Sequence, residues 1–189
     1  MVIFDNPGES NTDETIDIAV SKAIELRSSI VIASSSGKTA VKLLAHCRNI
    51  GFEGKLVAVS EAYGMYGAGK NDMPEETRKE LESSGVRVVT CAHSLSSGER
   101  CLTKKYGGTY PMEISADTLR MFGQGVKVCV EISLMAADNG AIDGGIPTVC
   151  VAGTAGGCDT ACVVTPSYTS SFLDTRVNEI LCKPGLYKE

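Results

Sequence analysis

The chain has 189 residues, 43% of them hydrophobic and 22% charged, with a net charge of −5 at pH 7. That is enough chain for one domain with a sizeable core, and its acidic balance without any basic block argues against nucleic acid as a partner. No apolar run reaches the length of a membrane span and residues 1–5 do not begin a signal peptide, so a cytoplasmic protein away from membranes is expected.

Asn11 with Glu14 three residues later resembles a capping box before Ile16, Ala19, Val20, Ala23 and Ile24. That spacing predicts a helix to about Arg27 with one apolar stripe. A β-branched run over residues 29–33 predicts a strand. It ends in Ser34, Ser35, Ser36 and Gly37, and Lys38 and Thr39 then open a helical pattern over 38–49. A strand, a tight turn and a helix N-terminus together aim free backbone N–H groups and a positive dipole end at one spot. With the clustered hydroxyls and Lys38, that spot suits an anion, a phosphate above all. The turn is not a Walker A loop, which needs a glycine five positions before Gly37, where this chain has Ile32. The plainer alternative is a helix capped by Ser35 or Ser36.

The second helix is expected to bury Val41, Leu44, Ala45 and Cys47 and to stop at Gly51. A strand follows at 55–59. Residues 60–73 form a long glycine-rich loop with Tyr63, Met65 and Tyr66, of the kind that is functional or mobile. Pro74 opens a polar helix to 84, which Gly85 ends, and 86–91 is a third strand. Residues 94–109 read as an irregular insertion.

Helices are expected at 114–121 and 126–137, the second apolar on most faces and therefore interior. Within it Glu131 sits between Val130 and Ile132, where a charge needs a partner or a shifted pKa. It is either a carboxylate working beside a ligand or half of a structural ion pair. Strands at 148–152 and 161–165 flank a second glycine-rich loop, with Gly153, Thr154, Asp159 and Thr160 as its candidate ligand-binding residues. Ligands of open α/β sheets sit at the carboxyl ends of strands, so this loop could share a ligand with the 34–39 turn. An ordinary hairpin is the alternative. Residues 176–182 read as a final edge strand. The alternation of strands and helices implies a single α/β domain over 1–189, a three-layer α/β/α sandwich on a mostly parallel sheet of five to six strands.

The eight cysteines, without an export signal, read as small buried residues with free thiols. Cys129 and Cys150 belong to the core, while Cys158, in the second glycine loop, is the candidate reactive thiol. Cys158 and Cys162 are not spaced as a redox pair or a zinc knuckle, and His46 and His93 neighbour no cysteine pair, so no metal site is expected. No Ser-His-Asp set can be assembled, and the serine turn is not a nucleophile elbow.

The order of these parts resembles the C-terminal domain of pyruvate kinase: a strand running into Ser36-Gly37-Lys38-Thr39-Ala40, a later apolar helix, a strand, a glycine-threonine loop and a Val-Val strand. The 189 residues are too few to hold the catalytic barrel of that enzyme, so a stand-alone domain is expected. The runs 122–132 and 135–138, with Gly153-Thr154-Ala155 and Asp159-Thr160-Ala161, are similar to stand-alone archaeal and bacterial proteins built on that domain. The resemblance implies that fold, a flavin mononucleotide (FMN) ligand, a homo-oligomer and no settled activity. It also implies roles for Ser34, Ser36, Gly37, Lys38 and Thr39 at a phosphate, with the later glycine loop closing over it. The tryptophan and arginine of the pyruvate kinase effector loop are missing here, so a sugar bisphosphate fits less well than one phosphate with an attached ring. Tyr63, Met65, Tyr66 or Met135 would flank that ring. The expectation is a binder of a phosphorylated small molecule. A flavin-dependent or phospho-substrate enzyme using Glu131, and an assembly module without cofactor, are the alternatives.

Overall fold

A computed structural model describes residues 1–65 and 67–185. Strands β1 (Val2–Phe4), β2 (Ile30–Ala33), β3 (Leu56–Ser60), β4 (Arg87–Thr90), β5 (Thr148–Ala152), β6 (Thr160–Thr165) and β7 (Arg176–Pro184) form one sheet in the order β1-β7-β6-β5-β2-β3-β4. The pairs β1–β7, β5–β2, β2–β3 and β3–β4 are parallel, and β5–β6 and β6–β7 antiparallel. The α/β sandwich on a mostly parallel sheet is therefore present, with seven strands rather than five to six. The extra strand is β1, too short in sequence to show a period. Because β1 pairs outside it, β7 is not the edge strand that its alternation suggests.

Alternation along the strands divides the core into two layers. Ile30, Ile32, Ala58, Val149 and Val151 face α1 (Thr12–Leu26), α2 (Lys38–Ile50) and α3 (Glu75–Ser83) through Val20, Leu43 and Leu81. Val31, Val57, Val59, Cys150 and Cys162 face the other way, onto α6 (Gln124–Asp138). Helix α6 is apolar nearly all round because it is covered twice. The sheet takes one side, and α5 (Pro111–Arg120) packs on the other through Ala116, Val130 and Leu134.

Several local expectations are corrected. The box at Asn11 does not form, since its side-chain amide donates to Asn6 O at 2.7 Å while residues 9–11 make a 3-10 turn. In α2 the buried positions are Ala40, Leu43, Leu44 and Cys47. Val41 is half-buried and Ala45 exposed, because the helix is rotated toward Leu43. The segment 94–109 is not irregular but carries a helix, α4 (Ser97–Tyr106). None of its residues is fully buried, so it shows no apolar stripe, and it is held by polar contacts instead. The Glu99 carboxylate accepts the Met112 and Glu113 N–H groups at 2.7 and 3.1 Å, capping α5 from outside. Among the described residues no helix is long and apolar enough to cross a membrane.

Candidate functional site

Strands β2, β3, β4 and β5 run parallel, so their carboxyl ends share one edge of the sheet. The turn after β2 lies there. Ser34 is buried, and its hydroxyl accepts the Ala40 N–H at 3.2 Å, capping α2 from inside. The Ser35 hydroxyl donates to Glu61 Oε1 at 3.1 Å. Gly37 has φ +87°, and a Cβ there would lie 2.5 Å from Thr77 Cγ2, so both the backbone and the α3 neighbour require glycine. Lys38 is exposed, and Ser36 and Thr39 are half-buried. At the first turn of α2 the Lys38 and Thr39 N–H groups have no intrahelical acceptor, and Gly37 supplies no side-chain cap. The turn is thus capped by one serine yet still presents donors at a positive helix end.

Beside the turn is a cleft of about 240 Å³. Ser34, Ser35, Ser60 and Glu61 form its sheet-side rim, and Ala33, Val59, Ile132 and Met135 give it an apolar floor. Met65, His93 and Arg100 also line it, and Arg100 is the contribution of the segment 94–109. Gln124, Lys127, Val128 and Glu131 line the α6 wall at helical spacing, with Arg120 at its end.

Two side-chain pairs face this space. His93 Nε2 lies 3.2 Å from Glu61 Oε2, and the ring beside it holds the Glu61 carboxyl below the ordinary range for glutamate. Lys127 pairs with Glu131 one turn along α6, both almost completely buried, and Glu131 Oε1 also accepts the Leu95 N–H at 3.1 Å. Of the two readings of Glu131, the structural ion pair is what the geometry displays, on a wall of the cleft. Arg120 pairs with Asp117 and donates from Nε to Gln124 Oε1 at 2.9 Å. Arg100 donates only to neutral groups among the described residues, Ser96 Oγ at 3.4 Å and Met65 Sδ at 3.7 Å.

The second glycine loop connects β5 and β6 as a hairpin at the same edge. Ile32 pairs with Val151, so the 34–37 turn and this loop leave neighbouring strands. Its polar groups are largely engaged within the protein. The buried Asp159 carboxylate accepts the Gly8 N–H at 2.9 Å, the Thr154 N–H at 3.3 Å and the Thr160 hydroxyl at 2.8 Å. Thr160 also packs against Gly125 at the start of α6, where a Cβ would stand 2.1 Å from its hydroxyl oxygen. A Cβ on Gly153 would meet Gly157 O at 2.7 Å, so that glycine serves the loop's own fold. Thr154 Oγ1 is different: it is buried and has no hydrogen-bond partner. None of these loop residues lines the cleft.

Cys158 is buried, its N–H donating to Thr12 Oγ1 at 3.1 Å, and burial pushes its thiol up to about 12. That corrects its reading as a reactive thiol, since the thiolate is the nucleophile. Cys129 and Cys150 are fully buried, as expected of core residues. Met65 and Met135 do line the cleft. Tyr63 is exposed outside it, and Tyr66 lies outside the described residues.

Glu61, His93, Arg100, Arg120 and Lys127 escaped the sequence reading. Only Lys127 carried a signal, as a cation four residues before Glu131 in an apolar run. The others come from separate elements and meet only through the topology.

A family model described as the pyruvate kinase alpha/beta domain matches residues 13–164, a span from early α1 to near the end of β6 that includes the serine turn, the cleft-lining residues and the second glycine loop. The chain belongs to the pyruvate kinase alpha/beta domain family.

Proposed function

We propose that the chain binds a phosphorylated small molecule, with its phosphate at the 34–39 turn and its body in the adjoining cleft, and that FMN is the first ligand to test. The observation that carries this reading is the coincidence of the two parts. Ser34 and Ser35 line a cleft with an apolar floor and Arg100 on its lining, and a helix N-terminus with free N–H groups follows them directly in the chain.

Each group has a role in this reading. The Lys38 and Thr39 N–H groups and the hydroxyls of Ser36 and Thr39 hold phosphate oxygens, and the α2 dipole favours their charge. Arg100 supplies the compensating cation over the cleft, while Lys38 points to solvent and contributes long-range attraction only. Thr154 Oγ1, buried without a partner on the neighbouring loop, is a hydroxyl that a bound polar group would satisfy. Asp159 and Thr160 fix the shape of the second loop rather than touch the ligand.

These groups fit the phosphate and the polar chain of FMN. The 240 Å³ of the cleft is below the roughly 300–1,000 Å³ of ordinary small-molecule pockets, so a three-ring flavin would be enclosed only in part. A bound flavin would supply electron-transfer chemistry; the protein groups described here bind, orient and neutralise. Titration of the purified chain with FMN, riboflavin and inorganic phosphate, followed by flavin fluorescence and calorimetry, tests the reading. Saturable binding of FMN that phosphate competes away, and that riboflavin does not reproduce, is expected. Equal affinity for riboflavin and FMN would remove the phosphate turn from the account, and absence of binding by FMN and phosphate alike would remove the reading altogether.

A further inference from the structure

The cleft carries an arrangement that holding a ligand does not require. Ser35, Glu61 and His93 reach it from just beyond the ends of β2, β3 and β4, three neighbouring parallel strands. Glu61 stands in the middle. Its Oε1 accepts the Ser35 hydroxyl at 3.1 Å, and its backbone oxygen accepts the Asn71 side-chain amide at 2.6 Å. The other carboxylate oxygen, Oε2, is buried and accepts no aligned hydrogen bond, although His93 Nε2 lies 3.2 Å from it. His93 is itself anchored, its backbone N–H donating to Ser97 Oγ at 2.6 Å. The His93 and Glu61 side chains are 16% and 20% exposed, so the pair is partly withdrawn from water yet within reach of the cleft.

A pair kept only for stability would bring both carboxylate oxygens into good hydrogen bonds. A hydroxyl on one oxygen and an imidazole set loosely on the other is how an acid–base histidine is held. The carboxylate orients the ring and stabilises the imidazolium that forms when the ring takes a proton. Before substrate arrives such contacts are long or poorly aligned, and they tighten when it binds. His93 in turn holds the Glu61 carboxyl below its ordinary range, so the carboxylate is ionised for this task at neutral pH. Arg100 lines the same cleft and provides a cation for a substrate oxygen that gains charge.

We propose that the cleft is an active site in which His93 moves a proton on a phosphorylated α-hydroxycarbonyl compound, with Glu61 as its positioning residue. This rests on the reading of the 34–39 turn as a phosphate site. The 240 Å³ of the cleft suits a short phosphorylated chain better than three fused rings. His93 takes the proton from the carbon that bears the hydroxyl. The C–H electron pair becomes the C=C bond of an enediolate, and the carbonyl pair moves onto oxygen beside Arg100. The hydroxyl proton then passes to that oxygen. As the second oxygen re-forms a carbonyl, the imidazolium returns its proton to the former carbonyl carbon. Carbonyl and hydroxyl have exchanged carbons, and the step consumes no oxidant, reductant or water.

Proton exchange with solvent tests this. Dihydroxyacetone phosphate, erythrulose 4-phosphate and ribulose 5-phosphate are each incubated with the chain in heavy water. Nuclear magnetic resonance follows loss of the C–H signal beside the carbonyl, and calorimetry follows binding of inorganic phosphate. Exchange at least a hundredfold above a protein-free sample is expected for one or more of the three. His93→Ala should lose it at least a hundredfold and regain part of it when imidazole is added, a rescue that a merely structural histidine would not give. His93→Gln, closer in size, repeats the loss if the alanine variant fails to fold, which circular dichroism checks. Glu61→Gln should lower kcat at least tenfold while KM changes less than threefold. Phosphate binding without exchange on any of the three compounds, exchange that survives both His93 variants, or a loss that imidazole cannot restore in a folded alanine variant would overturn the inference and leave the phosphate reading standing. An unmodified chain that does not bind phosphate would remove both.

Discussion

Two glycine-bearing loops leave neighbouring strands at the same edge of the sheet, yet they differ in what they keep for themselves. The loop between β5 and β6 spends its carboxylate on Gly8, Thr154 and Thr160, and its glycines on close packing, Gly153 within the loop and Gly157 against Glu9 and Thr12. The turn between β2 and α2 uses Ser34 as a cap and Ser35 on Glu61, but leaves N–H groups at a positive helix end. Glycine content alone therefore does not mark a ligand site. What marks it is the balance of donors left over after the backbone has been satisfied.

The comparison can be broken most forcefully at Asp159. Asp159→Ala leaves three donors facing a buried, empty position and should cost about 3–5 kcal/mol, since each orphaned buried group costs roughly 1–3 kcal/mol. Urea unfolding measures this, and phosphate binding should persist wherever the variant is still folded. Loss of less than about 1 kcal/mol would show that the loop is not held as described.

Gly37→Asp tests the other loop. It puts a like charge at the phosphate position and a Cβ into Thr77, so at least a hundredfold loss of ligand affinity is expected, together with destabilisation of about 1–3 kcal/mol. Calorimetric titration at a temperature where the variant is folded separates the two effects. Arg100→Gln should follow with a loss near tenfold, about 1.4 kcal/mol, and a flatter dependence of affinity on salt. Lys38→Ala should change affinity by less than threefold; a larger loss would return the exposed lysine to the site.

The smallest effects concern titration. The Glu61 carboxyl is held low by His93, so its contribution to stability is complete above the ordinary glutamate pKa and is lost as pH falls through the lowered value. Unfolding free energies of the wild type and Glu61→Gln should therefore converge on the acid side of pH 4.5. Cys158, with its thiol pushed up to about 12, should resist iodoacetamide in the native state up to high pH and react only on unfolding. Rapid native-state labelling there would show that the loop opens.

The sequence made the β2–turn–α2 unit legible because strand, turn and helix are contiguous and each leaves a local pattern. It made the apolar character of α6 legible for the same reason. Strand β1 was hidden by its length and α4 by its polarity. A helix held to α5 by the polar contacts of Glu99 and Thr103, with no fully buried residue, leaves no periodic trace. The polar lining of the cleft was hidden more deeply. His93, Arg100 and Glu61 acquire meaning only when β3, β4 and α4 are brought together, and nothing in their local neighbourhoods announces that meeting. Glu131 stands between these cases: its need for a partner was readable, and the partner was one helical turn away.

The pairing of β1 with β7 brings Val2 opposite Cys182 and Phe4 opposite Pro184. Contacts so distant along the chain carry a large loop-closure cost and slow the search for the native topology. Folding should then finish in a definite order, with the β2–β3–β4 side assembling from near neighbours first and the β1 strand docking last. Hydrogen exchange should find β1 opening well before β2, at a free energy below that of global unfolding.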